Sequence, residues 1–419
     1  MKRKNFWVMI FTAGFLGISS LAQAGYVKGE MPPAAASASV QREAQTGAVR
    51  RQEKVSADGP AIEVGLVSGA QVSVSLLTAF SAEQNGRTWI RFRQGETVSA
   101  ARSGNGLLVN GKKSEGAVVL ISREGSGPSF SVKGNRYRGG IKLVPNGSGG
   151  VTVVNVLPLE EYLLGVVPSE VSPQWRVDAL RAQAVAARTY ALYNMNAYRS
   201  RGYDVTDDTR SQVYGGYSAE AAASSQAVSD TRGMVVTYGG KPIDALFHSN
   251  AGGYTENSEN VWGTALPYLR GVPEPRSSVT GRAWTRTFTV SDFVRRLKDA
   301  GYDVGALKGI SLSPMRQGDA KDRDRGISGR VKYIVAKGPH SSRQVPGDAL
   351  QSMLGLPSTL FDFSVKGKNL VVTGYGSGHG LGLSQWGAEA MAEEHGDGKD
   401  YYKQILTHYY QNTKVEKIY

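Results

Sequence analysis

Between residues 61 and 156 apolar and polar side chains alternate in short runs, at 71–76, 89–93, 107–109, 118–121 and 151–156. A period of two puts alternate residues on one face, which is the signature of half-buried strands. Asn85-Gly86, Asn110-Gly111 and Asn146-Gly147 fall between such runs. These pairs tolerate the positive φ of tight hairpin turns, so the region reads as β-rich. At 157–198, LPLEEYLLGVVPSEVSPQWRVDALRAQAVAARTYALYNMNAY, the spacing changes to three and four. A first helix is predicted from Pro158, with Glu160 and Glu161 in the first turn where the helix dipole favours them, ending at Pro168. A second has Leu180, Ala184, Ala187, Ala191, Met195 and Tyr198 as one apolar stripe, Ser172-Pro173 as cap and first turn, and Arg181 and Arg188 on the surface. Glu170 is predicted on the short break between them, flanked by Val166, Val167 and Val171.

Farther along, helices are predicted at 219–229, 291–300, 347–354 and 399–410, and a hairpin of 234–238 with 242–248 turns on Gly239-Gly240. Strands are predicted at 329–335 and 370–373, and the charged stretch 316–330 reads as a solvated connection. The fold class expected is α+β: a β-rich N-terminal region, then a mixed α/β catalytic domain with a substrate cleft. The expected divisions are 61–128 and 129–419, with 285–363 a scaffold subdomain of the latter.

The first 24 residues follow another logic. Lys2, Arg3 and Lys4 precede an apolar run at 6–21 and then Ala22-Gln23-Ala24, a secretory leader predicted to be cut after Ala24. An uncleaved anchor is the alternative; no later segment is long and apolar enough to span a bilayer. Residues 25–60 are rich in Ala, Ser, Pro and Gln and are expected to form a disordered spacer. The chain is therefore expected outside the cytoplasm, in the periplasm or cell envelope, which disfavours nucleic acid as a partner. With no cysteine, it has neither disulfides nor thiolate metal ligands. The formal charge of +13 falls to +10 without the leader's three basic residues, a balance suited to anionic envelope polymers.

Glu170 is the leading candidate for chemistry, because a carboxyl among valines is biased to keep its proton. A helix-capping or salt-bridged acid, paired with Arg181 or Arg188, is the competing reading. The loop DDTRSQVYGG, 207–216, is expected to face substrate, with Gln212 able to hydrogen-bond a ligand and Tyr214 to cover its apolar side. In FHSNAGGYTENSENVWG, Gly252-Gly253 allows a sharp turn that gathers Ser249, Asn250, Tyr254, Thr255 and Trp262 around one pocket. Ser249 and His248 are poor as nucleophile and base, since neighbours on a strand point to opposite faces. In GYGSGHGLGLSQWGA, alternating Gly376, Gly378, Gly380 and Gly382 lack both the Gly-Lys-Ser/Thr of a phosphate loop and the dinucleotide spacing. These glycines are expected instead to let His379 press close to a ligand or to the Glu170 loop. Ser384 is expected to cap a helix carrying Gln385 and Trp386.

The runs LPLEEYLLGVVPSEV, ALRAQAVAARTYAL, SQVYGG, FHSNAGGYTENSENVWG and GHGLGLSQWGA, in this order, resemble the stage II sporulation protein D family, which includes amidase enhancers. The resemblance covers residues 137–419. It implies a peptidoglycan lytic transglycosylase that cuts the bond between N-acetylmuramic acid and N-acetylglucosamine in glycan strands stripped of peptide, leaving 1,6-anhydro ends. Glu170, in the Pro-Ser-Glu-Val run, takes the place of the family's proposed catalytic glutamate. It also draws His248 and Trp262, which read equally well as structural residues, into a substrate-binding set with Gln212, Tyr214, Ser249, Asn250, Tyr254, Thr255, His379 and Gln385. Some members hold zinc near the 207–216 loop through His and Cys; Arg210 and the lack of cysteine argue against carrying the metal over, and no cofactor is expected. The expected partners are peptidoglycan glycan strands and a cell-wall amidase. Two rivals remain: a noncatalytic wall-binding enhancer of an amidase, and hydrolysis by Glu170 with Asp207, Asp208, Glu256 or Glu259 brought close by folding.

Overall fold

The computed structural model describes residues 58–84, 87–122, 127–275, 277, 279–396, 398 and 400–419. The leader, nearly all of the expected spacer and the Asn85-Gly86 turn lie outside the described residues. The fold is α+β, as expected. A seven-stranded sheet runs Val205–Thr206, Ala61–Gly69, Val151–Pro158, Gly140–Pro145, Val118–Ser122, Phe80–Gln84 and Arg87–Phe92. A six-stranded sheet runs Asn135–Tyr137, Phe130–Val132, Gln71–Leu76, Thr97–Ser103, Gly106–Val109 and Lys112–Lys113. Val72, Val74 and Leu76 are buried while Gln71, Ser73 and Ser75 are exposed, so the period-two pattern does place a single face inward. Asn110 (φ 44°) and Gly111 (φ 81°) form the two-residue turn that joins Val109 to Lys112. Ala61–Gly69 pairs along its length with Val151–Pro158, so residues on either side of the expected 128/129 boundary share a sheet and one apolar core.

Eight α-helices occur among the described residues: α1 Leu159–Glu170, α2 Val177–Tyr193, α3 Ala222–Asp230, α4 Ser258–Trp262, α5 Val290–Asp299, α6 Gly347–Leu354, α7 Gln385–His395 and α8 Tyr401–Tyr409. Pro168 does not end α1. Its missing N–H costs one backbone bond, while Ser169 Oγ donates to Gly165 O at 2.7 Å and Val171 N to Val167 O at 3.1 Å. Glu170 is thus the last helical residue rather than part of a break. α2 begins after Arg176, not at Ser172, and ends at Asn194, leaving Met195 and Tyr198 beyond it.

Arg188 is fully buried rather than on the surface. Its Nε and Nη2 donate to Glu160 at 2.7 and 2.8 Å, and Nη2 also reaches Val228 O. The helix is enclosed on both sides, since Leu180, Ala184, Ala187 and Ala191 face the first core whereas Ala179, Ala182, Val185 and Ala186 face a second. An arginine there must take its counter-charge inside.

The expected hairpin is only partly present. Met234–Tyr238 pairs with Lys241–Pro242 around Gly239-Gly240, but its other edge takes the C-terminal strand Lys414–Lys417. Phe247–His248 instead pairs in parallel with Leu383–Ser384, which joins the two glycine-rich motifs. Residues 283–375 form two three-stranded sheets packed with α5 and α6 over a third core that includes Phe293, Ile334, Leu350 and Phe361. The strand expected at 329–335 lies at Tyr333–Lys337.

Candidate functional site

Glu170 stands at the C-terminal end of α1, between the 207–215 loop and the start of α7. Val213 N donates to Glu170 Oε1 at 2.8 Å, and Gln385 Nε2 makes a longer contact with Oε2 at 3.4 Å. The residue keeps partial exposure, but its carboxyl is surrounded by protein. Burial pushes it up to about 7, and the two hydrogen bonds offset that only in part. Neither Arg181 nor Arg188 reaches it. Arg181 is held by Asp230 and Asp178, Arg188 by Glu160, and among the described residues Glu170 forms no ion pair. Ser169 fixes the same loop from the adjacent position, accepting from Gly215 N at 3.2 Å.

The glycine-rich motifs build one wall. Asn250 and Ser377 exchange backbone hydrogen bonds, and Trp386 N donates to Ser249 O at 3.0 Å. All four alternating glycines have positive φ. A Cβ on Gly378 would sit 2.9 Å from His248 Cβ, on Gly380 2.2 Å from Arg330 Nε, and on Gly382 2.2 Å from Leu246 O. The glycines therefore press against protein rather than leave room for a ligand. Ser384 caps α7 as expected, accepting from Gly387 N.

The stretch 316–330 is solvated, as expected, only in its first part, 316–324; 325–330 is largely buried. Arg325 and Arg330 are each 2% exposed, and Arg330 donates to Gly378 O and Ala251 O, tying both motifs together. Glu256 accepts from Ile327 N, Ser328 N and Ser328 Oγ. Arg325 and Arg330 are spent mainly on backbone carbonyls, with Arg325 also paired to Asp362, which the local composition does not reveal. The recoverable signal was the pair of glycines, Gly326 and Gly329, within the run of charge.

Several expected ligands turn inward. Gln212 is 1% exposed and bonds Tyr162 Oη and Ala187 O; Tyr214 packs on Tyr162 and donates to Asn155 Oδ1 at 2.8 Å. Both are committed to protein partners and brace the loop from beneath. Thr255 is buried in reciprocal bonds with Val272, and Asn250 in bonds to Gly252 N and Val279 O. His248 Nδ1 contacts Leu381 O at 3.1 Å, and burial with its cationic neighbours holds the ring neutral. His379 Nδ1 accepts from Leu381 N, so its Nε2 carries the proton and donates to Phe247 O; burial and Arg330 hold it at about 4. Its ring lies 5.6 Å from that of half-buried Trp262. Ser249, Tyr254 and Trp262 keep partial exposure, and of the expected ligands buried Gln385 is the one in contact with Glu170. Trp175 and Trp386, whose rings lie 4.8 Å apart, join the start of α7 to the segment after Glu170.

Of the four acids weighed as a second carboxyl, three are already engaged: Asp208 by Arg210, Glu259 by Arg270 and Glu256 by the 327–328 amides. Asp207 is pushed up to about 6 by burial and by Asp208. No group of three or more His, Cys, Asp or Glu side chains among the described residues is arranged to hold a metal. No helix there is long and apolar enough to cross a membrane.

Residues 147–238, which contain Glu170 and the 207–216 loop, match the family model described as stage II sporulation protein. The chain is 34% identical to stage II sporulation protein D of Bacillus amyloliquefaciens over 281 residues, 63% of this chain and 76% of the relative. An uncharacterized protein of Brachyspira hyodysenteriae is 35% identical over 323 residues, 76% of this chain and 82% of that protein. The amidase enhancer of Bacillus subtilis is 31% identical over 297 residues, 60% of this chain and 40% of that protein. By these matches the chain belongs to the stage II sporulation protein D family.

Proposed function

We propose that this protein is an exported lytic transglycosylase that cleaves peptidoglycan glycan strands, with Glu170 as the single acid and base. The observation that carries this reading is a carboxyl free of ion pairs whose proton affinity is raised by burial to about 7. Such a group is protonated in part at neutral pH and can both give and take a proton. Oε1 is occupied by the Val213 N–H, so the proton resides on Oε2, which meets only the long Gln385 contact. Oε2 delivers it to the glycosidic oxygen as the bond from the muramic acid anomeric carbon breaks. The resulting carboxylate takes the proton of the 6-hydroxyl as that oxygen bonds to the same carbon. No water is consumed and Glu170 ends as it began.

Digestion of purified, peptide-free glycan strands with the full chain tests this reading by product mass. Ends lighter by one water than reducing ends are expected. Reducing ends would assign hydrolysis, with Asp207 the acid to examine next, and absence of cleavage would favour a wall-binding enhancer of an amidase.

A further inference from the structure

At the far end of α2 lies a second set of groups that the packing does not require. Tyr193 is 46% exposed and Tyr238, beside the Gly239-Gly240 turn, 41%; they are the exposed aromatic residues among the large apolar side chains of the described residues. Tyr238 lies 5.8 Å from the ring of buried Tyr268, and Tyr193 is the last residue of α2, next to Asn194. Asp244 is placed beside them: its N–H donates to Tyr268 Oη at 3.4 Å and its Oδ1 accepts from Asn194 Nδ2 at 3.1 Å. Its Oδ2 has no hydrogen-bond partner among the described residues, although the side chain is half-buried.

This set is adjacent to the candidate site. Asn194 Nδ2 also donates to Tyr190 O at 3.1 Å, and Tyr190 packs against Phe247, whose strand pairs with Leu383–Ser384 just before Gln385. Tyr193 and Asn194 follow Tyr190 by about one helical turn, roughly 5 Å along the axis.

We propose that Tyr193, Tyr238 and Asp244, backed by Tyr268 and Asn194, form a distal saccharide subsite for the glycan strand that is cut at Glu170. The identity of the strand rests on the proposed function; the subsite rests on its own geometry. A pyranose ring offers a C–H face that packs on tyrosine and hydroxyls that donate to a carboxylate. Tyrosine gives this area with little rotamer entropy to lose, and an acceptor with a free oxygen fixes orientation. A phosphate or carboxylate ligand would instead meet the negative charge of Asp244.

The test uses the full chain carrying Tyr193→Ala and Tyr238→Ala together, substitutions at exposed positions, with Tyr238→Phe and Asp244→Ala as companions. Affinity is measured on immobilised peptide-free glycan strands, and steady-state cleavage on long strands and on a tetrasaccharide of the same repeat. The double variant should bind strands about tenfold more weakly and raise KM on long strands about tenfold, with kcat and tetrasaccharide cleavage unchanged. Tyr238→Phe should bind like the parent, and Asp244→Ala should weaken binding several-fold. Unchanged strand affinity in the double variant overturns the subsite, as does an equal loss on the tetrasaccharide. If the parent protein cuts nothing, the reading of Glu170 fails while the strand affinities still decide the subsite.

Discussion

Val213 presents its amide to one oxygen of Glu170 at 2.8 Å and leaves the other oxygen with a single contact at 3.4 Å to Gln385. In the proposed mechanism the loop that holds the acid therefore leaves Oε2 as the oxygen that exchanges the proton. That asymmetry, with burial rather than a neighbouring charge as the main influence, underlies the first two expectations.

Glu170→Gln keeps the shape and can accept the Val213 amide, but it has no proton to exchange. Cleavage of peptide-free glycan should fall by about 10²–10⁴-fold. Thermal unfolding should show no loss of stability. Mass analysis of glycan ends together with calorimetry checks both halves.

Because Glu170 binds its proton more tightly folded than unfolded, its stabilising contribution is complete below the unfolded carboxyl pKa and is lost as pH rises through about 7. The parent should lose about 1–3 kcal/mol relative to Glu170→Gln between pH 4 and pH 8, allowing for partial exposure. The step that needs the protonated acid should slow above about pH 7. Urea unfolding of the pair across pH, with kcat/KM profiles, measures these slopes.

Arg188 and Glu160 are fully or almost fully buried, and Glu160 also accepts from Tyr419 Oη and Gly233 N. Arg188→Met strands that carboxylate inside the fold and should cost about 3–5 kcal/mol in denaturant unfolding. Arg181→Met, which breaks a partly exposed pair with Asp230 and a longer 3.5 Å contact with buried Asp178, should cost less, about 1–2 kcal/mol.

Gly380 has φ 85° and no room for a Cβ above Arg330, whereas Gly367 has φ 60° and open space. Gly380→Ala should destabilise by about 2–5 kcal/mol and disturb the wall. Gly367→Ala should cost about 1–2 kcal/mol, the backbone term alone. Equal effects would show that the Arg330 contact contributes nothing.

Local pattern determined much of this protein. Period-two burial at Gln71–Leu76, the Asn110-Gly111 turn, α6 and the Ser384 cap all follow from neighbours a few residues apart. Tertiary structure decided where polar groups went. Gln212 and Tyr214 look like ligands, and 325–330 looks like part of a surface loop, until distant chain offers Tyr162, Asn155, Glu256 and Gly378 as partners. A buried polar side chain is settled by whichever group can satisfy its hydrogen bonds, and that group is brought by the fold rather than by sequence spacing. The same holds for Glu170, whose burial comes with packing against the 207–215 loop and α7. Sequence singled out Glu170 as the candidate; packing decided how far its proton affinity is raised.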